Sequence, residues 1–116
     1  MMLNGGELDG VRILSPKTVA LMTTNHLDDL GIPFGRKGVG FGLDFGVVLN
    51  PGDVGEVSTA GEYNWGGAAG TRFWIDPQEN LIGMFMVQSI PHRTRLADDF
   101  KVLTYSAMTQ SQMDDK

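Results

Sequence analysis

The chain has 116 residues, no cysteine and a net charge of −5, with 41% hydrophobic and 20% charged residues. That length bounds it to one domain with a modest core, and the absent cysteines exclude disulfides, thiolate nucleophiles and zinc–thiolate sites. No apolar run approaches the roughly 20 residues that span a bilayer, and no basic cluster exceeds Arg36-Lys37 or Arg93/Arg95, so the positive footprint of a nucleic-acid binder is missing.

Met1 to Asn4 reads as the stub of a helix that Gly5-Gly6 ends. This start carries no basic region and no long apolar stretch, so no signal peptide is expected within the chain. Asp9-Gly10 is a turn signal between short apolar pieces. Ser15-Pro16 predicts a helix start, with Ser15 as cap and Pro16 at the first helical position. That helix is expected to reach about Thr24, with Val19 and Met22 inward and Asn25 at its end. Asp28 to Gly38 reads as a loop broken by Gly31, Pro33, Gly35 and Gly38.

Phe41, Leu43, Phe45 and Val47 alternate with Gly42, Asp44 and Gly46, the period of one strand with a packed face and a nearly bare one. A bare glycine face implies that another backbone or a bulky side chain lies close above it. Asn50 to Asp53 reads as a turn, and Val54 to Ala60 as extended. Glu62–Trp65 and Gly70–Ile75 form the central strand region, interrupted at Gly66-Gly67. Asp76 to Asn80 is a polar hairpin turn. Leu81 to Gln88 is apolar on both parities, which predicts a strand covered on both faces. Arg95 to about Gln112 predicts an amphipathic helix with Leu96, Phe100, Leu103 and Ala107 on the inward face and Asp99, Lys101 and Gln110 off it. The tail from Ser111 to Lys116 is expected to fray. The fold class is therefore α+β: an antiparallel sheet of three to four strands flanked by an N-terminal and a C-terminal helix.

Few residues mark chemistry. His26 and His92 lack metal-ligand spacing and read as loop residues, so no metal site and no cofactor are expected. The glycines from Gly38 to Gly42 precede a strand rather than a helix, which argues against a phosphate loop. The pairs Asp28/Asp29, Asp98/Asp99 and Asp114/Asp115 are sequence neighbours that do not face one another on a helix, and read as solvated charge. Trp65-Gly66-Gly67-Ala68 has two readings: a bulge beside an aromatic core, or a bare wall whose amides serve as oxyanion donors.

The run Gly61 to Pro77, followed by Leu81 to Met86, resembles the carboxy-terminal part of the serine β-lactamase-like family. Within it the match is to esterase-type members, namely family VIII carboxylesterases with their class C β-lactamase and penicillin-binding-protein-like relatives. Leu3 to Val19 and Gly40-Phe41-Gly42-Leu43 are similar to earlier segments of that family, in the same order. The resemblance implies a β-lactamase/transpeptidase-like α/β domain of which residues 1–116 are a single partial domain. In that family the nucleophile is the serine of S-x-x-K, with its lysine and the tyrosine of Y-x-N as acid–base groups. This chain has neither motif, and Tyr63-Asn64 is not Y-x-N. Trp65-Gly66-Gly67 corresponds to the family's K-T-G element on an edge strand, and Ala68 N–H to one oxyanion-hole donor.

The resemblance thus implies a C-terminal fragment of a serine hydrolase that lines a substrate site with Trp65, Gly66, Gly67 and Ala68 but is inactive alone. Tryptophan in place of the family's lysine favours esters over β-lactams. The expected partners are the missing N-terminal part of the hydrolase or another copy of this chain, through a sheet face left open. A small ester or β-lactam would bind only in the complete enzyme. The bacterial cytoplasm and periplasm both stay open. The alternative is a non-catalytic binding or interaction module of the same fold.

Overall fold

The computed structural model describes residues 1–30 and 35–111. Gly31 and Pro33 of the expected loop, Asp114/Asp115 and the Gln112–Lys116 end of the tail lie outside the described residues. Met1 to Gly5 forms two short turns, Asn4 N to Met1 O at 3.2 Å and Gly5 N to Met2 O at 3.1 Å, instead of a regular helix. A hairpin follows, β1 (Glu7–Leu8) with β2 (Val11–Arg12), and Asp9 and Gly10 turn it in the left-handed region.

Ser15 Oγ accepts from Thr18 N at 3.0 Å and starts α1 (Pro16–Met22), with Val19 buried. The hydroxyls of Thr23 and Thr24 bond back to the carbonyls of Val19 and Ala20 and close the helix two residues before its expected end. A one-turn helix, α2 (Pro51–Val54), replaces the expected turn, because Asn50 Oδ1 caps Gly52 N and Gly55 takes the left-handed conformation. Of the segment Val54 to Ala60, expected to be extended, Val54 ends α2 and the rest joins no strand ladder.

The main sheet is an antiparallel meander of β3 (Val39–Phe41), β4 (Gly46–Val48), β5 (Tyr63–Gly66), β6 (Arg72–Asp76) and β7 (Leu81–Phe85), in that spatial order. It has five strands where three to four were expected. The single strand read through Phe41–Val47 is in fact a hairpin, since Asp44 adopts a positive φ of 75° and turns the chain. The alternation misled because it runs on through Gly42 to Phe45, which form the turn and join no ladder. The bare glycine face does lie against other groups: a side chain at Gly40 would meet Asn25, and one at Gly42 the Met22 carbonyl. Nor is Glu62–Ile75 one interrupted strand, because β5 and β6 pair as neighbours, with Asn64 opposite Trp74 and Gly66 opposite Arg72. Asp76 Oδ1 accepts from Gln78 N and Glu79 N at the turn into β7.

One face of the sheet buries Val47, Tyr63 and Ile75, joined by Met2, Leu3, Phe45 and Phe73. The other buries Trp74 beneath α3 (Leu96–Ser106). This helix is rotated from its expected setting. Ala97 and Lys101 are its buried residues, while Leu96 and Leu103 are exposed and Ala107 lies beyond its last turn. Phe100 alone of the expected set makes ring contacts inward, with Trp74 and Phe85.

The cause is on the sheet, where Glu62 and Asp76 are fully buried. Lys101 Nζ lies 2.7 Å from Glu62 Oε1. Tyr105 Oη donates to Asp76 at 2.8 Å or to Glu62 at 3.2 Å, and Thr59 Oγ1 donates to Asp76 at 2.6 Å. A buried carboxylate without partners costs more than two exposed leucines, so the polar complement sets the rotation.

β7, expected to be covered on both faces, is covered on one. Gly83 packs beneath the Trp74 ring, while Ile82 and Met84 are exposed on the opposite face.

Candidate functional site

The stretch from Trp65 to Arg72 leaves the sheet at the end of β5 and returns as β6. β5 is the third of five strands, not an edge strand. Its ladder with β4 covers only Tyr63 and Asn64, however, so Trp65 and Gly66 pair with β6 alone among the described residues. The expected edge character belongs to that half of the strand.

The connecting turn is held at several points. Gly67 N donates to Thr71 O at 2.8 Å, and Gly70 N to Gly67 O at 2.9 Å. Ser89 N donates to Ala69 O at 3.0 Å from the loop after β7. Gly70 sits at φ 90° with the His92 ring in the space a Cβ would take, so only glycine fits there. The Thr71 hydroxyl fills the equivalent space beside Gly67. Ala68 is at the exposed tip, and its N–H meets no acceptor among the described residues.

Trp65 packs edge-on against Phe41 with centroids 5.0 Å apart and is 46% exposed. Cavities flank it on both sides. One, of about 460 Å³, is lined by Arg36, Asn64, Thr71, Arg72 and His92 together with Trp65 to Gly67. The other, of about 240 Å³, is bounded by Phe73, Met84 and Met86 with the same three residues.

Charge beside the wall is neutralised in place. Arg72 spans Glu56 at 2.7 Å and Asp98 at 2.6 Å, and Arg36 also pairs with Glu56. Asp98 is therefore an ion-pair partner, whereas Asp99 is exposed as expected. Burial, and then the like charge of Arg72, lowers the Arg36 pKa. Burial lowers that of Lys101, with Glu62 opposing the shift. Burial pushes Tyr63 up to about 12, and raises Tyr105 further with the help of its hydrogen bond to Asp76.

Sequence reasoning singled out Trp65, Gly66, Gly67 and Ala68; the first three line both cavities, whereas Ala68, at the exposed tip beyond them, lines neither. It missed Arg72, His92 and Asn64, which line the larger one. The glycine at 70 was the available signal for His92, since a close neighbour must explain a bare position. His26 is exposed and hydrogen-bonds the Leu21 carbonyl at 2.8 Å. Among the described residues no group of three or more His, Asp and Glu side chains converges as metal ligands would, and no helix is long and apolar enough to cross a membrane.

No family model matches the chain. Protein Rv1367c of Mycobacterium tuberculosis, and an uncharacterized protein from a second strain of that species, are 40% identical to it over 101 residues. The alignment covers 78% of this chain and 25% of each relative, so the chain spans about a quarter of the length of the curated relatives it matches. Among solved structures, EstCE1, a hydrolase with promiscuous acyltransferase activity, superimposes with a TM-score of 0.68 at 24% identity, covering 90% of this chain and 27% of that one. The chain therefore has a mixed α and β fold, built on an antiparallel five-stranded sheet, that matches a segment of a known hydrolase.

Proposed function

We propose that this chain serves as the carboxy-terminal part of an esterase-type serine hydrolase, forming one wall of its acyl site. The observation that carries the reading is the Ala68 amide, which has no acceptor among the described residues, on a turn braced by Thr71, Ser89 and His92. Fixed donors of this kind stabilise the oxyanion of a tetrahedral intermediate without reorganising during the reaction. In the complete enzyme a serine from outside this chain attacks the ester carbonyl, the ester C–O bond breaks and the alcohol leaves, and water hydrolyses the acyl-serine to the acid and free serine. Ala68 N–H and the nucleophile's own N–H receive the developing charge. Trp65 places a neutral ring where an anionic substrate would need a cation, and the neighbouring Arg72 is bound to Glu56 and Asp98. Neutral esters are accordingly the favoured substrates over anionic β-lactams.

The purified chain is expected to leave p-nitrophenyl butyrate intact. Coexpression with the polypeptide encoded immediately upstream should restore hydrolysis, provided that polypeptide carries S-x-x-K and Y-x-N. In the restored enzyme Ala68→Pro, which deletes the donor, should lower kcat by roughly 100- to 1,000-fold with less change in KM. Turnover by the chain alone would overturn this reading. An upstream sequence without those motifs would favour the non-catalytic module.

A further inference from the structure

We infer that His92 is a positioning residue of this site: its ring, seated against Gly70, holds the turn from Gly67 to Thr71 in the setting that aims the Ala68 N–H. The consequence for rate rests on the proposed hydrolase function, whereas the geometry rests on contacts made wholly within this chain.

The direction of that N–H is set by the bonds of its neighbours. Gly67 O accepts from Gly70 N at 2.9 Å, so the Gly67 carbonyl points into the turn. The Gly67–Ala68 peptide is trans, and in a trans peptide the N–H points opposite to the carbonyl. Ala68 N–H is therefore directed out of the turn, and keeps that direction only while Gly70 N stays on Gly67 O. The peptide that supplies this donor, Ala69–Gly70, is held at its other end as well, because Ala69 O accepts from Ser89 N at 3.0 Å. A flip of this one peptide would break both bonds and release the Gly67 carbonyl.

Gly70 is the weak point of that arrangement. Its φ of 90° is one that glycine adopts readily. The missing Cβ that admits this φ admits many others too, so the residue does not select its own conformation. The selection comes from His92, whose ring occupies the space beside the Gly70 α-carbon with Nδ1 foremost. Gly70 is accordingly buried, while Gly66, Gly67 and Ala68 before it are exposed. Ser89 and His92 belong to the same loop after β7. That loop thus grips the Ala69–Gly70 peptide by a hydrogen bond and the α-carbon that follows it by a ring, and a flip of the peptide must displace both.

The test has two arms. In the isotope-labelled chain His92→Ala, at an exposed position, should keep the circular dichroism spectrum and lower the heteronuclear NOE of the Ala68, Ala69 and Gly70 amides selectively. Arg93→Ala, exposed on the same loop, should leave those amides as they are. In the enzyme restored with the upstream polypeptide, His92→Ala should lower kcat on p-nitrophenyl butyrate by roughly ten- to 100-fold with KM little changed, the loss expected of a donor misaimed rather than deleted. His92→Asn, whose side-chain amide reaches the place of Nδ1 but carries no titrating ring, should restore most of both. Amides as rigid in His92→Ala as in wild type would overturn the inference, as would a loss of kcat that Asn does not recover, which would make the imidazole a proton carrier instead. A wild-type pair that leaves the ester intact would overturn the hydrolase function and the effect on rate with it, while the amide NOE still decides whether His92 holds the turn.

Discussion

Lys101 Nζ and Glu62 Oε1 meet at 2.7 Å with both side chains sealed from solvent, joining the middle of α3 to the residue just before β5. Removing one partner strands a charge. Lys101→Ala should therefore lower the unfolding free energy by about 3–5 kcal/mol, whereas replacing the pair together by Met and Leu should cost far less. Urea denaturation followed by circular dichroism measures both. If the double variant loses as much as the two single losses added, the ion pair is not the coupling.

The tyrosines give the pH dependence a definite sign. Tyr63 is raised by burial to about 12, and Tyr105 is raised by burial and by its hydrogen bond to Asp76. Each holds its phenolic proton more tightly folded than unfolded. Their contribution is thus complete below the ordinary tyrosine value near pH 10 and is lost as pH rises through the folded values. Lys101 is lowered, so it favours folding as pH rises toward its unfolded value of 10.5 and adds no further change above it. Above pH 10.5 the net trend should be downward, with Tyr63 accounting for about 3 kcal/mol at full ionisation. Absorbance at 295 nm should show tyrosinate appearing together with unfolding. Two independent titrations near pH 10, with the fold intact, would contradict this.

Gly83 is where the sheet lets Trp74 through. A methyl group there would overlap the indole ring, so Gly83→Ala should destabilise by about 1–3 kcal/mol through overpacking. Gly52→Ala, on the one-turn helix with only an ordinary contact to Asn50, should be neutral or stabilising by up to about 1 kcal/mol. Thermal melts of the two variants compare directly. Equal shifts would mean that the close approach at Gly83 carries no special cost.

The two tryptophans should report separate places. Trp74 is fully buried, and Trp65 is 46% exposed at the lip of the cavities. Trp65→Phe should leave a blue-shifted emission that acrylamide quenches weakly, with a stability loss of at most about 1.5 kcal/mol from the edge contact with Phe41. Strong quenching of the remaining emission would place Trp74 in solvent.

What the sequence made legible was governed by local chemistry. Ser15-Pro16 marked α1, Asp9-Gly10 its hairpin, and the polar run from Asp76 to Asn80 the turn between β6 and β7. The errors came where tertiary structure overrode local pattern. A non-glycine residue, Asp44, takes the left-handed turn that divides β3 from β4, and nothing adjacent announces it. Lys101 looked solvated because its partner, Glu62, lies 39 positions away, so apolar periodicity selected the wrong face of α3. The candidate site was legible only as the Trp65 to Ala68 motif. Arg72, Asn64 and His92 reach the same cavity from the strand ladder and a distant loop.

The uneven pairing of β5 gives it the mechanics of a cantilever. Its root, Tyr63 and Asn64, is clamped by strands on both sides, and Glu62 just before it is tied to α3. The backbone of its tip, Trp65 and Gly66, is bonded to β6 alone, with the Trp65 ring against Phe41 of β3, and the turn beyond is propped by Thr71, Ser89 and His92. Backbone displacements of β4 should die out at the root, and those of β3 reach the tip only through the ring contact of Phe41 with Trp65. Those entering through β6 or the loop that carries Ser89 and His92 reach the tip undamped. The position of the Ala68 amide is thus governed chiefly from the β6 side of the sheet, and substitutions at Thr71 or His92 are the ones that would move it most.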